Sequence, residues 1–289
     1  VWSPAWVGAA LAAMALFIVF GGIQRIAQVS SVLVPVMAVG YIILALFIII
    51  MNIHLIPHVF KVIVLDAVGF SQIAGGGIGA AMMNGIKRGL FSNEAGEGSA
   101  YTVAATASTT HPVKQGLIQA LGVFTDTLLV CSCTAFIILI SGLYQVPELN
   151  GIALTQSALQ SEVGSVGPMF IAVAIFLFAF SSIIGNYYYG EANIRFITQN
   201  NQVMTAYRIA SAGLMVIFGA IASFELVWNI VDFFMAGLTA CNLIAIMLLG
   251  RYAFRLLDDY RQQKRQGIKE PVFHRSQLPE IEDELECWE

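Results

Sequence analysis

The chain has 289 residues, 58% of them apolar and only 11% charged, with a mean hydropathy of +0.78 and a formal charge of −4. An ordinary soluble domain carries about 25% charged residues, so a soluble enzyme is excluded and nothing points to nucleic acid. The apolar stretches run on without alternating, which excludes a transmembrane β-barrel and leaves an all-α polytopic membrane protein.

No Asp, Glu, Lys or Arg occurs from Ile26 to Phe60 or from Val163 to Gly190. Runs of about 20 apolar residues span the hydrocarbon core. Seven spans are predicted, roughly 5–21, 31–51, 62–83, 116–142, 167–190, 207–224 and 226–249, their ends uncertain by a few residues. Turn or charge signals separate them: Gly21-Gly22 with Arg25, His54 and Pro57, the Asn84–Pro112 region, Asn150-Gly151, Glu191–Arg208, and Glu225. Glu225 leaves almost no loop between the last two spans, which predicts a tight helical hairpin. The chain starts at Val1, and its first apolar segment lacks a basic leader and a cleavage site, so a portion of a larger protein is expected.

Basic residues cluster on the cytoplasmic side of spans. An outward-to-inward first span leaves Lys61 as the only basic residue outside and predicts a cytoplasmic C-terminus. Residues 1–250 then form the membrane domain and 251–289 a cytoplasmic tail. Arg251–Lys269 reads as a basic, helix-like stretch, a topological anchor or a contact for anionic headgroups. The final HRSQLPEIEDELECWE is short and acidic and is expected to be solvated and poorly ordered.

Within the third span, four of the five residues from Gly75 to Gly79 are glycine. Each costs a helix interior about 1 kcal/mol relative to alanine. Close helix packing and a broken helix at a binding site both account for this. Polar groups crowd just beyond: Asn84, Lys87-Arg88, and Ser92-Asn93-Glu94-Ala95-Gly96.

Asp126 lies well inside the fourth span, in GVFTDTLLVCSCTA, on the face shared by Gln119, Gly122 and Cys133. Ionisable groups within spans are costly and mark functional sites by default. A cation, a proton, a helix end and a purely structural hydrogen bond are all open as its partner. In the fifth span, Ser181 and Ser182 sit mid-membrane, and Ser182, Gly185, Asn186 and Tyr189 share one face. Their oxygens are hard ligands suited to an alkali cation, although serines in spans often bond their own preceding turn. His111 before Pro112 reads as a cap or interface residue, and Tyr187–Tyr189 as an interfacial belt. The four cysteines form no disulfide framework or zinc spacing. No nucleophile elbow, P-loop or HExxH motif is present, so no enzyme machinery is visible.

Three runs carry a resemblance: GAAMMNGIKRGLFSNEAGEGS, HPVKQGLIQALGVFTDTLLVCSCTA and FAFSSIIGNYYYGE. They resemble the alanine/glycine:cation symporters, also called sodium:alanine symporters, over Gly21 to about Arg255, and the KRGLFSNEAG and GVFTDT blocks are the most specific. The resemblance implies a partial LeuT-type fold, two inverted repeats of five helices. The third span would be the broken helix opening a complete second repeat, and the first two spans the end of the first. Helices expected before Val1, with the other broken helix, would be missing partners of this chain.

It also implies sodium-coupled symport of alanine or glycine by alternating access, in a bacterial inner membrane, with sodium as the coupling ion and no organic cofactor. Gly76, Gly77 and Gly79 would let backbone approach the amino acid. Ser182 and Asn186 would face the substrate, and Ser181 and Ser182 would ligate sodium, with Asp126 a further cation candidate. Ser92, Asn93 and Glu94 would lie in the inner gate. The family often has Thr at the serine pair and Trp where Asn186 stands, which bears on the substrate. Proton coupling through Asp126, a passive channel and a non-transporting fragment are the alternative readings.

Overall fold

A computed structural model of the chain describes residues 4–67, 77–94, 96–146, 148–221, 223–285 and 288. Eleven α-helices and no strand occur among the described residues. Five helical stretches are long and apolar enough to cross a membrane: Gln24–Met51, Pro112–Ser141, Val166–Ile197, Asn201–Gly219 and Glu225–Arg265. Trp6–Val19 and Ile53–Leu65 are shorter apolar helices, so the first and third predicted spans fall short of that length among the described residues. The chain divides into two compact units, residues 1–89 with 125–227, and residues 90–124 with 228–289.

In the first unit, α1 (Pro4–Val19) lies along α10 (Asn201–Ile221). A Cβ on Gly8 would stand 3.5 Å from the Met215 carbonyl oxygen, in ordinary van der Waals contact, so a small residue packs against α10 here. α2 (Gly22–Met51) carries Pro35 in its interior and packs against both α7 (Ser132–Ser141) and α9 (Val166–Ile197). α8 (Gly151–Val163) fills the space between α7 and α9, in a region read from the sequence as a break. Its Ala158 and Leu159 are fully buried with Ile48, Val59 and Ile137 in the main apolar cluster. A second cluster, around Val19, Ile26, Phe180 and Ile184, joins α1, α2 and α9. α3 (Ile56–Ala67) and α4 (Gly77–Ser92) follow.

In the second unit, α5 (Ala100–Ala104) and α6 (Pro112–Thr125) accompany α11 (Phe224–Arg265) and the tail. α11 is 42 residues long and carries the basic Arg251–Arg265 stretch as an unbroken continuation of the last span. The tail is not the solvated end expected from its composition. Phe273 and Leu278 are each 3% exposed, and Phe273 N–H donates to the Thr110 carbonyl at 2.9 Å. Gln263 pairs with the Val272 backbone through both its amide groups, and Arg255 binds Glu280 at 2.5 Å. Two apolar anchors and these backbone pairings dock the tail ahead of the acids that follow Leu278.

Fully buried His111 holds this arrangement together. Its Nδ1 accepts the Val113 N–H at 3.2 Å, which leaves Nε2 as the donor to Asp259 at 3.1 Å. Phe273 and Tyr260 stand edge-on to its ring. Of the two expectations, a capping or an interface histidine, the capping one is met.

Candidate functional site

α2, α7 and α9 are joined by a residue the sequence reading passed over. Tyr41 of α2 is 4% exposed, its hydroxyl 2.7 Å from Thr134 Oγ1 and its ring edge-on to Phe178. The same Phe178 offers its carbonyl to the Ser181 hydroxyl at 2.9 Å. A lone hydroxyl inside the aliphatic run VMAVGYIILALF was the available signal.

Asp126 opens a π-helical turn, Asp126–Cys131, between α6 and α7. Such turns interrupt the regular ladder and occur frequently at functional sites. Its carboxylate is half-buried and accepts the Cys131 thiol at 3.5 Å, and α2 packs against this turn. Ser181 is half-buried with its hydroxyl spent on its own helix, whereas Ser182 and Asn186 lie on an exposed face of α9. The two serines therefore present different surfaces, and only Ser182 and Asn186 share one. Gly77 and Gly79 lie within α4; Gly76 lies outside the described residues.

Beyond α4 the chain turns through Asn93 and Glu94 into a tight loop. Glu94 has φ 49°, Gly96 φ +81° and Gly98 φ +95°. Ser99 Oγ donates to Glu94 Oε2 at 2.6 Å, and Asn242 of α11 donates to the Gly96 carbonyl at 3.0 Å. A Cβ on Gly98 would fall 2.6 Å from Asn242 Cγ, so glycine is required there for both space and conformation. Inside this loop Glu97 is 5% exposed. Its enclosure, and then the neighbouring Glu94, push its carboxyl pKa up. The sequence reading singled out Ser92, Asn93 and Glu94 and missed it, because burial is not visible in NEAGEGS.

A second buried acid, Glu191, sits near the end of α9. It accepts the Tyr187 hydroxyl, Arg195 at 2.8 Å and Arg208 at 3.3 Å. Tyr187 is thus 5% exposed inside a polar cluster, where the sequence suggested an interfacial belt. Tyr207 also binds its carbonyl, at 3.1 Å.

The sodium:alanine symporter family model matches residues 1–275. The chain belongs to this family. Among similar proteins, the Bacillus subtilis "Probable sodium/glutamine symporter GlnT" is 52% identical over 271 residues, covering 94% of this chain and 56% of the relative. The "Amino-acid carrier protein AlsT" of the same organism is 50% identical over 280 residues, covering 96% of this chain and 59% of the relative. A "Sodium/proton-dependent alanine carrier protein" of Bacillus sp. (strain PS3) is 37% identical, covering 90% of this chain and 62% of the relative. The chain thus spans a little over half the length of these curated relatives. The family is one of transporters, and the apolar helices fit that membership.

Proposed function

We propose that the chain forms part of a sodium-coupled symporter for small neutral amino acids, alanine and glycine first among them, in a bacterial inner membrane with its C-terminus cytoplasmic. The observation that carries this reading is the family match over residues 1–275. Substrate class is drawn broadly because the relatives' names include glutamine in one case and alanine in another. In this reading the fold is LeuT-type, and α3 and α4 are the two halves of the broken helix that opens the second repeat. The glycine cluster from Gly75 to Gly79 supports such a break. Half-helix ends at a break offer unpaired backbone groups to a zwitterion.

Ser182 and Asn186 are the α9 residues available to an incoming ligand, since their face is exposed. Ser181 keeps acceptor capacity after donating to Phe178 and joins Ser182 as a sodium ligand. Alternating access then couples the two solutes, with the membrane potential adding about 2.3 kcal/mol per charge per 100 mV. Ser92, Asn93 and Glu94 belong to the inner gate.

A proteoliposome assay of the full-length protein tests this. Labelled alanine should accumulate above equilibrium under an inward sodium gradient, and Ser182→Ala should weaken apparent sodium affinity by about tenfold or more. Accumulation under a proton gradient alone would move coupling to a carboxyl, a second reading favoured by the sodium/proton-dependent relative. Absence of accumulation under both gradients would overturn the carrier reading.

A further inference from the structure

Tyr41 touches both of the segments that carry the cation candidates. Its phenol oxygen stands 2.7 Å from Thr134 Oγ1 in α7, just after the π-helical turn that Asp126 opens. Its ring stands edge-on to Phe178, centroids 6.3 Å apart, and the carbonyl of that same Phe178 accepts the Ser181 hydroxyl at 2.9 Å. α2, which carries Tyr41, packs against α7, α9 and the Asp126–Cys131 turn, yet supplies none of the candidate ligands.

A π-helical turn departs from the regular backbone ladder, so its polar groups draw on other donors. Side chains supply them here. Ser132 Oγ donates to the Thr127 carbonyl at 3.1 Å and the Cys131 thiol to Asp126 at 3.5 Å. Thr134 Oγ1 faces the Val130 carbonyl, also at 3.5 Å, the outer edge of hydrogen-bond range. Proton supply sets the direction of this chain. Among the described residues the Tyr41 hydroxyl has one hydrogen-bond partner, Thr134 Oγ1, so the buried phenol donates to it and the threonine proton is left for Val130. Two hydroxyls in series thus connect α2 to the turn.

Such a pair is poorly accounted for by stability. A buried hydroxyl costs free energy unless it is bonded, and exchanging both partners of a buried hydrogen bond for apolar groups of the same shape is close to neutral. A phenylalanine against a valine would fill the same space. What the hydroxyls add is a fixed position of one helix against the next, and a cation site is sensitive to that, because groups behind the ligands govern its affinity.

We propose that Tyr41 is a positioning residue for cation binding: through Thr134 it holds the Asp126 turn, and through Phe178 the Ser181 turn, in the spacing that sodium requires. Tyr41 itself touches no transported solute. The inference rests on the symporter reading and adds to it that α2 sets the sodium affinity.

The test uses the full-length protein, wild type against Tyr41→Phe, Thr134→Val, the double variant and Thr134→Ser. In proteoliposomes, Tyr41→Phe should raise the sodium concentration for half-maximal alanine uptake by about tenfold, leaving maximal uptake at saturating sodium close to wild type. Thr134→Val should match it, the double variant should be no worse than either single one, and Thr134→Ser, which keeps the hydroxyl, should behave as wild type. Sodium should also raise the melting temperature of the protein in detergent, with the same displacement of the titration in the variants that lose a hydroxyl. Equal sodium titrations in wild type and Tyr41→Phe would overturn the proposal, and so would additive losses in the double variant. A variant that melts lower but keeps wild-type sodium affinity would reduce the pair to a helix–helix contact and overturn it as well. Should Tyr41→Phe fail to fold, Thr134→Val against Thr134→Ser decides. A wild type that responds to sodium in neither assay removes the carrier reading and the proposal together, whereas a responding wild type with variants that titrate like it removes the proposal alone.

Discussion

Glu97 and Glu191 are equally buried, each 5% exposed, and sit in opposite surroundings. Glu191 is held by Tyr187, Arg195 and Arg208, which bind the end of α9 to α10. Glu97 has a second acid for a neighbour and no donor among the described residues. A satisfied buried acid holds a structure in one state. Glu97 ties its loop to no other described residue through its side chain, so the two acids differ in what they hold.

The largest expected effect breaks the satisfied side. Glu191→Ala strands Arg208, whose side chain is 15% exposed, and should destabilise the protein by about 3–5 kcal/mol. Thermal unfolding of the full-length protein in detergent would register this, and an unchanged melting temperature would show that the cluster holds nothing. Gly98→Ala acts on the other side. With φ +95° and a Cβ 2.6 Å from Asn242 Cγ, it should cost about 1–3 kcal/mol and speed amide exchange across residues 96–101.

Glu97→Gln should have the smallest effect, and its pH dependence is its signature. A carboxyl with a raised folded pKa ionises first in the unfolded chain. Native stability therefore falls as pH rises out of the ordinary carboxylate range, and stops falling above the folded value. The glutamine variant should match the wild type in acid and exceed it increasingly towards neutral pH. Parallel melting curves for the two proteins across that range would remove the distinction between the two acids.

Much of this was legible in the sequence. Continuous apolar runs with few charges predict spans whatever their neighbours, because a bilayer imposes its thickness on any helix crossing it. Five such helices stand among the described residues, and family membership followed from runs such as KRGLFSNEAG and GVFTDT. Asp126 stood out as a charge inside a span, and the π-helical turn begins at that residue. The burial of Tyr187, the role of Tyr41 and the enclosure of Glu97 were not legible. Each depends on which residue of a distant segment arrives opposite, and that has no signature in local spacing.

The tail shows the same division from the other end of the chain. Its acidic composition reads as a solvated segment, yet two apolar residues, Phe273 and Leu278, dock it, and His111, far earlier in the chain, supplies the ring against which Phe273 rests. The sequence by itself determined the helical class, the apolar spans and the family, because these follow from local hydropathy and from motifs contiguous in the chain. The tertiary structure alone decided which of two equally buried acids is paired, because pairing is a property of long-range contact.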